Sequence, residues 1–267
     1  SSIRKNGLEK KVAAMVKLTN AIPGTKARMA AKKKIFKAVH QNFGGKLRLL
    51  ISGGAAVDPK VLAGLHDLGI AAVQGYGLTE CAPLAALNRD TYFNDSAAGL
   101  GTPNTLLDIY DVQDDGTGEI RFKGDNLMLG YYGQPELTAE VIRDGWFYTG
   151  DLGYLDANGF LHITGRKKNV IVTSNGKNIF PEELETYLCR TPFVAESVVV
   201  GFINPKKKDY DIVAIIYPDK ARMDETYGEK WTRDQLDAEL RRAVAEVNGI
   251  VQSYKRIECY VIRDTEF

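Results

Sequence analysis

The sequence predicts an α/β region, then a small β-rich segment, and finally a smaller α+β domain. Three patterns support this fold class. A strand, a helix and a second strand follow one another between Leu47 and Val73, as in a βαβ unit. From Ala97 onward, short strands are separated by Gly and Asn turns. From Pro181, helices alternate with longer strands. With 267 residues and 44% hydrophobic content, the chain is long enough to form two domains.

The first 46 residues form a basic helical segment. Residues 1–48 carry thirteen Lys or Arg and one acid, Glu9. Apolar residues have helical spacing in Val12–Leu18 and Ala27–Phe43, and Lys32-Lys33-Lys34 fall on the predicted outer face. A helix pair with a solvated cationic surface is the simplest interpretation. The alternative is attraction to an anionic membrane surface or to a phosphorylated ligand. No nucleic-acid partner is predicted.

Composition also suggests where the protein acts. The chain has no apolar run of ~20 residues, and its first residues lack the apolar region of a signal peptide. We therefore expect a cytoplasmic protein, with contact at a membrane surface as the alternative. Cys81, Cys189 and Cys259 are odd in number and lack C-x-x-C spacing, which argues against disulfides and a zinc site. Reduced thiols are expected.

The βαβ unit places two glycine loops at one edge of a sheet. Asp58 is a suitable N-cap, Pro59 fits the first helical turn, and Gly69 ends the helix. The predicted buried stripe comprises Val61, Leu62, Leu65 and Leu68, and His66 is expected at the surface. Because ligands bind at the carboxyl ends of parallel strands, the loops Gly53-Gly54 and Gly75-Tyr76-Gly77 mark a ligand site. Neither loop matches the dinucleotide or Walker fingerprint.

The stretch Gly75-Tyr76-Gly77-Leu78-Thr79-Glu80 combines the groups that a nucleotide site needs. Glycines on either side of Tyr76 would let the backbone approach a planar ring on which the tyrosine stacks. Thr79 offers a hydroxyl to a phosphate oxygen, and Glu80 offers a carboxylate to Mg²⁺. The alternative is a tight turn with a helix-capping threonine.

The β-rich segment, residues 97–166, supplies a second candidate carboxylate. Asp151 directly follows Gly150, and such an exposed carboxylate suits the two hydroxyls of a ribose. The alternative is a turn aspartate. A hairpin turning at Asp156-Ala157-Asn158-Gly159 then leads to Gly165-Arg166. The other predicted elements are strands at Leu106–Val112, Glu119–Phe122 and Leu127–Tyr131, and a helix at Pro135–Ile142.

The last hundred residues predict an α+β domain. Thr232 and Gln235 form a capping box that opens an amphipathic helix running to Val247. The other predicted elements are a helix at Pro181–Leu188 and strands at Val194–Phe202, Ile212–Tyr217 and Ile257–Ile262. This size is usual for a domain.

Four motifs in order carry a resemblance to a known family. They are Tyr76–Glu80; Gly118–Arg121 with Gly130–Tyr132; Tyr148–Leu152; and Gly165–Lys167 with Ile179–Glu183. The series resembles the acyl-adenylate-forming ligases, and the similarity runs from Leu47 to the end of the chain. Within that superfamily, Lys167-Lys168-Asn169 leading into Thr173–Ile179 most resembles the long-chain fatty-acid CoA ligases.

The resemblance implies a role for each matching residue. Gly53, Gly54 and Ala55 would run along the adenine of ATP or AMP, and Tyr76, between Gly75 and Gly77, would stack on it. Thr79 would contact the α-phosphate and Glu80 would hold Mg²⁺. Asp151 and Arg166 would bind the ribose hydroxyls. Gly176 would lie against the pantetheine of CoA; the alternative is that Asn175-Gly176 is a hairpin turn that needs a positive φ. The run Lys206-Lys207-Lys208 is expected to be a solvated loop rather than a contact to the CoA phosphates.

The resemblance also implies a domain organisation. Residues 1–166 would be the C-terminal part of the large nucleotide-binding domain, with a basic segment (1–46), a βαβ unit with nucleotide loops (47–96) and a barrel-like β subdomain (97–166). Residues 167–267 would be a small mobile domain that rotates about Lys167. The family's phosphate loop and its adenylation lysine have no counterpart here, so we expect the C-terminal portion of a larger ligase that is inactive by itself.

The function implied is that of a long-chain fatty-acid CoA ligase. It would activate a fatty acid with ATP and Mg²⁺ to acyl-AMP, and transfer the acyl group to CoA. The alternatives are an acyl-ACP synthetase, another carboxylate-CoA ligase, or a non-catalytic nucleotide- or acyl-CoA-binding relative.

Overall fold

A computed structural model describes residues 9–267. The chain forms two compact units, which are treated separately below. Unit 1 runs to Thr149 and includes Gly153–Ile163, and unit 2 comprises Gly150–Leu152 and Thr164–Phe267. The domain boundary expected at residues 166 and 167, with its hinge, stays a prediction. No helix among the described residues is long and apolar enough to cross a membrane.

Unit 1 begins with the basic helices α1 (Glu9–Asn20), α2 (Thr25–Ile35) and α3 (Lys37–Asn42). The single helix expected over Ala27–Phe43 is wrong, because Phe36 leaves helical geometry (φ −93°, ψ 30°) and is buried between α2 and α3. The expectation that all three lysines of Lys32–Lys34 face solvent is also wrong. The Lys32 side chain is only 4% exposed, and its Nζ lies 3.1 Å from Asp67 Oδ1 and 3.0 Å from the carbonyl oxygen of His66.

The Lys32 ammonium thereby caps the C-terminus of helix α4 (Pro59–Asp67), where backbone carbonyl groups that lack a partner within the helix favour a cation. The N-terminus of α4 confirms the sequence interpretation, since the Asp58 carboxylate accepts the backbone N–H of Lys60 at 2.9 Å. The predicted buried stripe is right for Leu62 and wrong for Val61, which is 55% exposed. The histidine of α4, His66, is partly buried rather than at the surface, and its Nε2 lies 2.7 Å from the Ala72 carbonyl oxygen.

The first sheet of unit 1 contains the predicted βαβ unit. Strands β1 (Leu50–Ser52) and β2 (Ala72–Tyr76) are parallel, with Ser52 opposite Gln74. The short strands β3 (Ala86–Leu87) and β4 (Leu100–Gly101) add antiparallel to β2. Strand β2 extends to Tyr76, beyond the end of the predicted βαβ unit at Val73, so Gly75 and Tyr76 belong to the sheet rather than to a loop.

The second sheet follows the predicted β-rich segment and lies mainly in unit 1, although Gly150–Leu152 and residues 164–166 of its strands belong to unit 2. Its strands are β5 (Thr105–Tyr110), β6 (Gly118–Gly124), β7 (Ile142–Arg143), β8 (Trp146–Leu155) and β9 (Leu161–Arg166), with helix α5 (Pro135–Val141) before β7. The strand expected at Leu127–Tyr131 is absent from this described region. Its backbone bonds elsewhere instead, since the Met128 N–H donates to the Glu80 carbonyl and the Tyr131 N–H to Thr138 Oγ1.

Unit 2 has its own core between a three-stranded sheet and two helices. The sheet pairs β12 (Val194–Asn204) with β13 (Asp209–Pro218), and β14 (Cys259–Ile262) lies parallel to β13. Helices α6 (Pro181–Cys189) and α8 (Arg233–Ile250) contribute Leu184, Leu188, Leu236 and Leu240 to the core. Helix α7 (Lys220–Tyr227) was not expected from the sequence, although Asp219 caps it.

Two local signals in unit 2 are confirmed. The capping box at the start of α8 is present, because the Thr232 N–H donates to Gln235 Oε1 at 2.8 Å and the Gln235 N–H donates to Thr232 Oγ1 at 3.2 Å. The segment before α6 is a hairpin of β10 (Ile171–Val172) and β11 (Asn178–Ile179).

Candidate functional site

The first group of candidate residues lies at the carboxyl ends of β1 and β2 in unit 1. Gly53, Gly54 and Ala55 follow β1 directly and are exposed, and Gly54 has a φ of +87°. A Cβ at Gly53 would lie 3.8 Å from the Gly75 carbonyl oxygen, so the backbone after β1 runs beside the end of β2. This edge of a parallel pair is where α/β proteins bind ligands.

The glycines of Gly75-Tyr76-Gly77 have a structural cause within the chain. A Cβ at Gly77 would lie 1.7 Å from the Pro83 carbonyl oxygen, and one at Gly75 would lie 3.0 Å from the Ala86 carbonyl oxygen. Tyr76 is 8% exposed and packs in the core of unit 1 with neighbours such as Cys81. Close packing therefore accounts for both glycines without a ligand, and any adenine contact of Tyr76 falls on the small exposed part of its ring.

Thr79 and Glu80 open a short 3₁₀ helix, Thr79–Cys81, that follows β2. Thr79 is exposed and Glu80 is partly buried. The Tyr131 hydroxyl donates to Glu80 Oε1 at 2.8 Å, and the Met128 N–H donates to the Glu80 carbonyl oxygen at 2.8 Å. The side chain and backbone of Glu80 are thus both fixed by the segment after β6. Partial burial and the hydrogen bond to Glu80 raise the pKa of the Tyr131 phenol.

Glu80 suits a Mg²⁺ ion by its chemistry. Because the Tyr131 hydroxyl donates to Oε1, a metal ion would bind through the other oxygen, Oε2; ligating carboxylates are usually oriented by a hydrogen bond of this kind. No cluster of three or more His, Cys, Asp and Glu side chains is arranged for a metal within residues 9–267 as described. A metal at Glu80 would therefore take its other ligands from phosphate and water, which is the usual coordination of Mg²⁺.

The partners of this carboxylate were not assigned a role by the sequence. Tyr131 belongs to Gly130-Tyr131-Tyr132, which contributed to the family resemblance. The Asn126 side chain also fixes the segment, donating to the carbonyl oxygens of Cys81 and Leu84 at 2.8 Å each. These contacts join residues more than 40 positions apart, so no local spacing points to them; Tyr131 belongs to the ordered motif series, but Asn126 does not.

The second group of candidate residues lies in unit 2, and here one expectation is wrong. Asp151 is not exposed after a turn. It lies within β8, is 4% exposed, and its Oδ1 is 3.0 Å from Arg166 Nε at the end of β9. The strand continues through Gly150, and the cation compensates the burial of the carboxylate. The Arg166 side chain is 50% exposed, so this pair presents its guanidinium to solvent.

The backbone beside Arg166 is closely packed. A Cβ at Gly165 would lie 2.7 Å from Glu182 Oε2 and 3.3 Å from Phe180 Cδ1. Glu182 Oε1 accepts a hydrogen bond from Asn169 Nδ2 at 2.7 Å, whereas Oε2 is buried without a hydrogen-bond partner among the described residues. Lys167 begins the 3₁₀ helix Lys167–Asn169. Glu182 thus holds the segment that starts at the predicted hinge.

Gly176 lies in the turn of the β10–β11 hairpin. Its φ is +74°, and no heavy atom lies within 4 Å of the position a Cβ would take. Its N–H donates to the Thr173 carbonyl oxygen at 2.9 Å. The structure thus shows both a turn that requires a positive φ and an open backbone edge. Gly176 as a turn residue and Gly176 as a CoA-binding residue therefore both stay predictions.

The structure brings the candidates together in two sets. Gly53–Ala55, Gly75–Gly77, Thr79 and Glu80 lie along one edge of unit 1. In unit 2, Asp151 pairs with Arg166, which directly precedes Lys167, and Gly176 lies in the hairpin that follows.

Two family models match this chain. Residues 12–132 match the model described as AMP-binding enzyme, and residues 168–265 match the AMP-binding enzyme C-terminal domain. The chain belongs to this family, which confirms the resemblance drawn from the four motifs.

Individual relatives differ in the substrate that their names give. A feruloyl-CoA synthase of Amycolatopsis is 36% identical over 197 residues, covering 71% of this chain and 40% of that protein. A long-chain-fatty-acid–CoA ligase of Mycobacterium bovis is 33% identical over 244 residues, covering 87% of this chain and 39% of that protein. The chain therefore spans about 40% of the length of these curated relatives.

A solved structure supports the same fold. The o-succinylbenzoate CoA synthetase of Bacillus subtilis, in complex with its acyl-adenylate intermediate, superposes with a TM-score of 0.68 at 23% identity. The match covers 87% of this chain and 46% of that one. The chain thus has the fold of the adenylate-forming ligases, with mixed α/β architecture.

Proposed function

We propose that the protein carrying this chain activates a carboxylic acid with ATP and transfers the acyl group to CoA. In the first half-reaction, a carboxylate oxygen attacks the α-phosphorus of ATP and pyrophosphate leaves. In the second, the CoA thiolate attacks the acyl carbon and AMP leaves. The observation that carries this proposal is the match of both family models, in order, along a chain with the fold of an enzyme solved with an acyl-adenylate.

The residues of unit 1 would bind the adenine and phosphate parts of ATP. The exposed backbone of Gly53–Ala55 runs beside the end of β2, and it would border the adenine together with Tyr76. The exposed hydroxyl of Thr79 would donate to an α-phosphate oxygen. The carboxylate of Glu80, oriented by Tyr131, would hold Mg²⁺, which when bound neutralises charge on the phosphates.

The residues of unit 2 would bind the ribose and CoA. Arg166 fixes the buried Asp151 carboxylate, and this pair would position the ribose hydroxyls. The open backbone edge at Gly176 would border the pantetheine after the small domain rotates about Lys167. Positioning of this kind contributes much of the rate in reactions with little covalent chemistry on the protein.

We propose a long-chain fatty acid as the carboxylic acid. The similarity to the long-chain ligase extends over 87% of this chain, and the sequence from Lys167 to Ile179 carries the same resemblance. An aryl acid is the second candidate, because the feruloyl-CoA synthase is 36% identical over 197 residues. The proposed cellular site is the cytoplasm, and contact with a membrane surface through the basic segment is the alternative.

A half-reaction assay tests the function and the substrate together. The protein that carries this chain is incubated with ATP, Mg²⁺ and either palmitate or ferulate, and the exchange of labelled pyrophosphate into ATP is measured. CoA is then added and the thioester is quantified. We expect exchange and thioester formation with palmitate. Exchange with ferulate but not with palmitate would indicate an aryl acid as the substrate. The absence of exchange with any carboxylate would contradict the proposed function.

The metal role of Glu80 has its own test. Glu80→Gln keeps an oxygen that accepts the Tyr131 hydroxyl but removes the negative charge, so the fold is retained while Mg²⁺ is held less tightly. We expect the Mg²⁺ concentration for half-maximal pyrophosphate exchange to rise on the order of tenfold, a loss of about 1.4 kcal/mol. Glu136→Gln, at an exposed glutamate in the first turn of α5, is the control. An unchanged Mg²⁺ dependence in Glu80→Gln would contradict the proposal that Glu80 binds the metal.

A further inference from the structure

The tip of the β10–β11 hairpin, residues Thr173–Lys177, is held in shape by its own hydrogen bonds. The Thr173 N–H donates to the Lys177 carbonyl oxygen at 2.9 Å, and the Lys177 N–H donates to Thr173 Oγ1 at 3.0 Å. The hairpin that bears this tip is short, with only two residue pairs between β10 and β11. Internal bonds therefore set the shape of the tip but give little control over its direction.

A carboxylate outside the hairpin fixes that direction. Asp209 Oδ1 accepts the Ser174 N–H at 3.1 Å, and Asp209 Oδ2 accepts the Ser174 hydroxyl at 3.0 Å. Both oxygens of one carboxylate thus bind one residue of the tip. Hydrogen bonds to a charged acceptor are stronger than neutral ones. The N–H groups of Tyr210 and Ser174 lower the pKa of Asp209, so it is ionised at neutral pH.

The position of Asp209 makes it a firm anchor. It is the first residue of β13, a ten-residue strand that pairs along its length with β12 and is held in the core of unit 2. On the other side of the tip, Lys177 Nζ lies 4.6 Å from the centre of the Tyr254 ring, a cation–π contact. The tip is thus restrained from two sides by parts of the same unit.

These contacts fix the position of the tip while the backbone at Gly176 stays uncovered. No heavy atom lies within 4 Å of where its Cβ would be. Ser174 is exposed, so its hydrogen bonds to Asp209 compete with water and contribute little to global stability. A clamp of this kind matters for the position of the tip more than for the folding of the unit.

We propose that Asp209, acting through Ser174, is a positioning residue for the transfer of the acyl group to CoA. It holds the hairpin so that the backbone at Gly176 borders the pantetheine arm. This inference rests on the proposed function. Asp209 does not touch the substrate, and the adenylation step does not depend on it.

The test separates the two half-reactions in the protein that carries this chain. Asp209→Ala is expected to lower kcat/KM for CoA on the order of tenfold, because a misplaced binding group loses rate steeply. Pyrophosphate exchange with palmitate should stay unchanged. Ser174→Ala, which keeps the main-chain bond, should show a smaller loss. Asp209→Asn should recover most of the activity, since its amide oxygen still accepts the Ser174 N–H.

Asp211→Ala is the matched control. Asp211 lies two residues further along β13, hence on the same face, and its carboxylate also has side-chain partners, Asn204, Lys207 and Glu258. None of these contacts reaches the hairpin, so kcat/KM for CoA should not change.

Two outcomes would overturn the inference. One is an unchanged kcat/KM for CoA in Asp209→Ala. The other is an equal loss in both half-reactions together with a lowered melting temperature, which would make Asp209 a structural residue only. Either outcome leaves the proposed function intact, because that function fails only if the unmodified protein shows no pyrophosphate exchange with any carboxylate.

Discussion

The segment Gly75–Cys81 and the hairpin tip Thr173–Lys177 both carry motif glycines, but they use them differently. At Gly77 the space for a Cβ is filled by the carbonyl of Pro83, so the glycine is required by packing. At Gly176 that space is open, and what the tip needs is a turn with a positive φ. The first segment is fixed by close backbone contact and the second by polar contacts from Asp209. A glycine in a motif therefore marks either a crowded or an exposed backbone.

The largest expected effect tests the crowded case. Gly77→Ala places a Cβ 1.7 Å from the Pro83 carbonyl oxygen, and backbone on both sides must move. We expect the free energy of unfolding of unit 1 to fall by about 3 kcal/mol or more. Trp146 lies in unit 1 and Trp231 in unit 2, so urea unfolding is followed by fluorescence in a Trp231→Phe background.

Gly53→Ala is the control for Gly77. Its new Cβ would meet only the Gly75 carbonyl oxygen at 3.8 Å, which is an ordinary contact, and Gly53 does not have a positive φ. The change in unfolding free energy should stay within about 0.5 kcal/mol. A similar loss in both variants would show that packing does not distinguish the two glycines.

Gly165→Ala is expected to have an intermediate effect. The new Cβ would meet Glu182 Oε2 at 2.7 Å, which is the end of a flexible side chain rather than backbone. We expect a loss of about 1–2 kcal/mol in unit 2. The measurement is urea unfolding followed through Trp231. In a double-mutant cycle, adding Glu182→Ala to Gly165→Ala should recover most of this loss. Strictly additive effects of the two substitutions would instead assign the clash to Phe180 or the backbone.

Gly176→Leu tests the open case and should affect stability much less than Gly77→Ala. A positive φ costs a residue with a Cβ about 1–2 kcal/mol, while the Cβ itself meets no neighbour. Under the proposed function, pyrophosphate exchange persists and transfer to CoA is lost. If the residue is only a turn, both half-reactions fall by the same factor together with the melting temperature.

The smallest effect is a dependence on pH confined to the hairpin tip. Because hydrogen bonds in the folded state lower the pKa of Asp209 below its ordinary value of 3.8, the clamp is present above that value. It is lost as the pH falls through the lower, folded pKa. We expect the carboxyl resonance of Asp209 in an NMR titration to show a midpoint below 3.8. A midpoint at or above 3.8 would mean that the bonds to Ser174 are not formed in solution.

Two local signals were read correctly from the sequence, and in both the bonded partners lie within a few residues of each other. The Asp58 N-cap and the capping box of Thr232 and Gln235 are of this kind. The α/β order and the four motifs likewise follow from contiguous patterns, so the family could be predicted with them. The candidate site residues were also chosen from these contiguous motifs.

Expectations failed where a distant partner decides the environment. Asp151 was expected to be exposed because it follows a glycine, but the pairing of β8 and β9 buries it against Arg166. The Tyr131 contact to Glu80 joins residues 51 positions apart, and no period or cap predicts it. The sequence shows which groups a segment offers, whereas burial is set by the strands and loops that cover it.

The burial of Lys32 has a consequence for the chemical reactivity of the basic segment. Of three consecutive lysines, Lys33 and Lys34 are exposed, while the Lys32 amine is buried at the end of α4, where it contacts Asp67. An acetylating enzyme or an amine-directed reagent would therefore modify the two outer lysines in the folded protein and reach the third only after α2 separates from α4. Labelling of Lys32 would thus report the opening of this helix contact, and labelling of its neighbours would not.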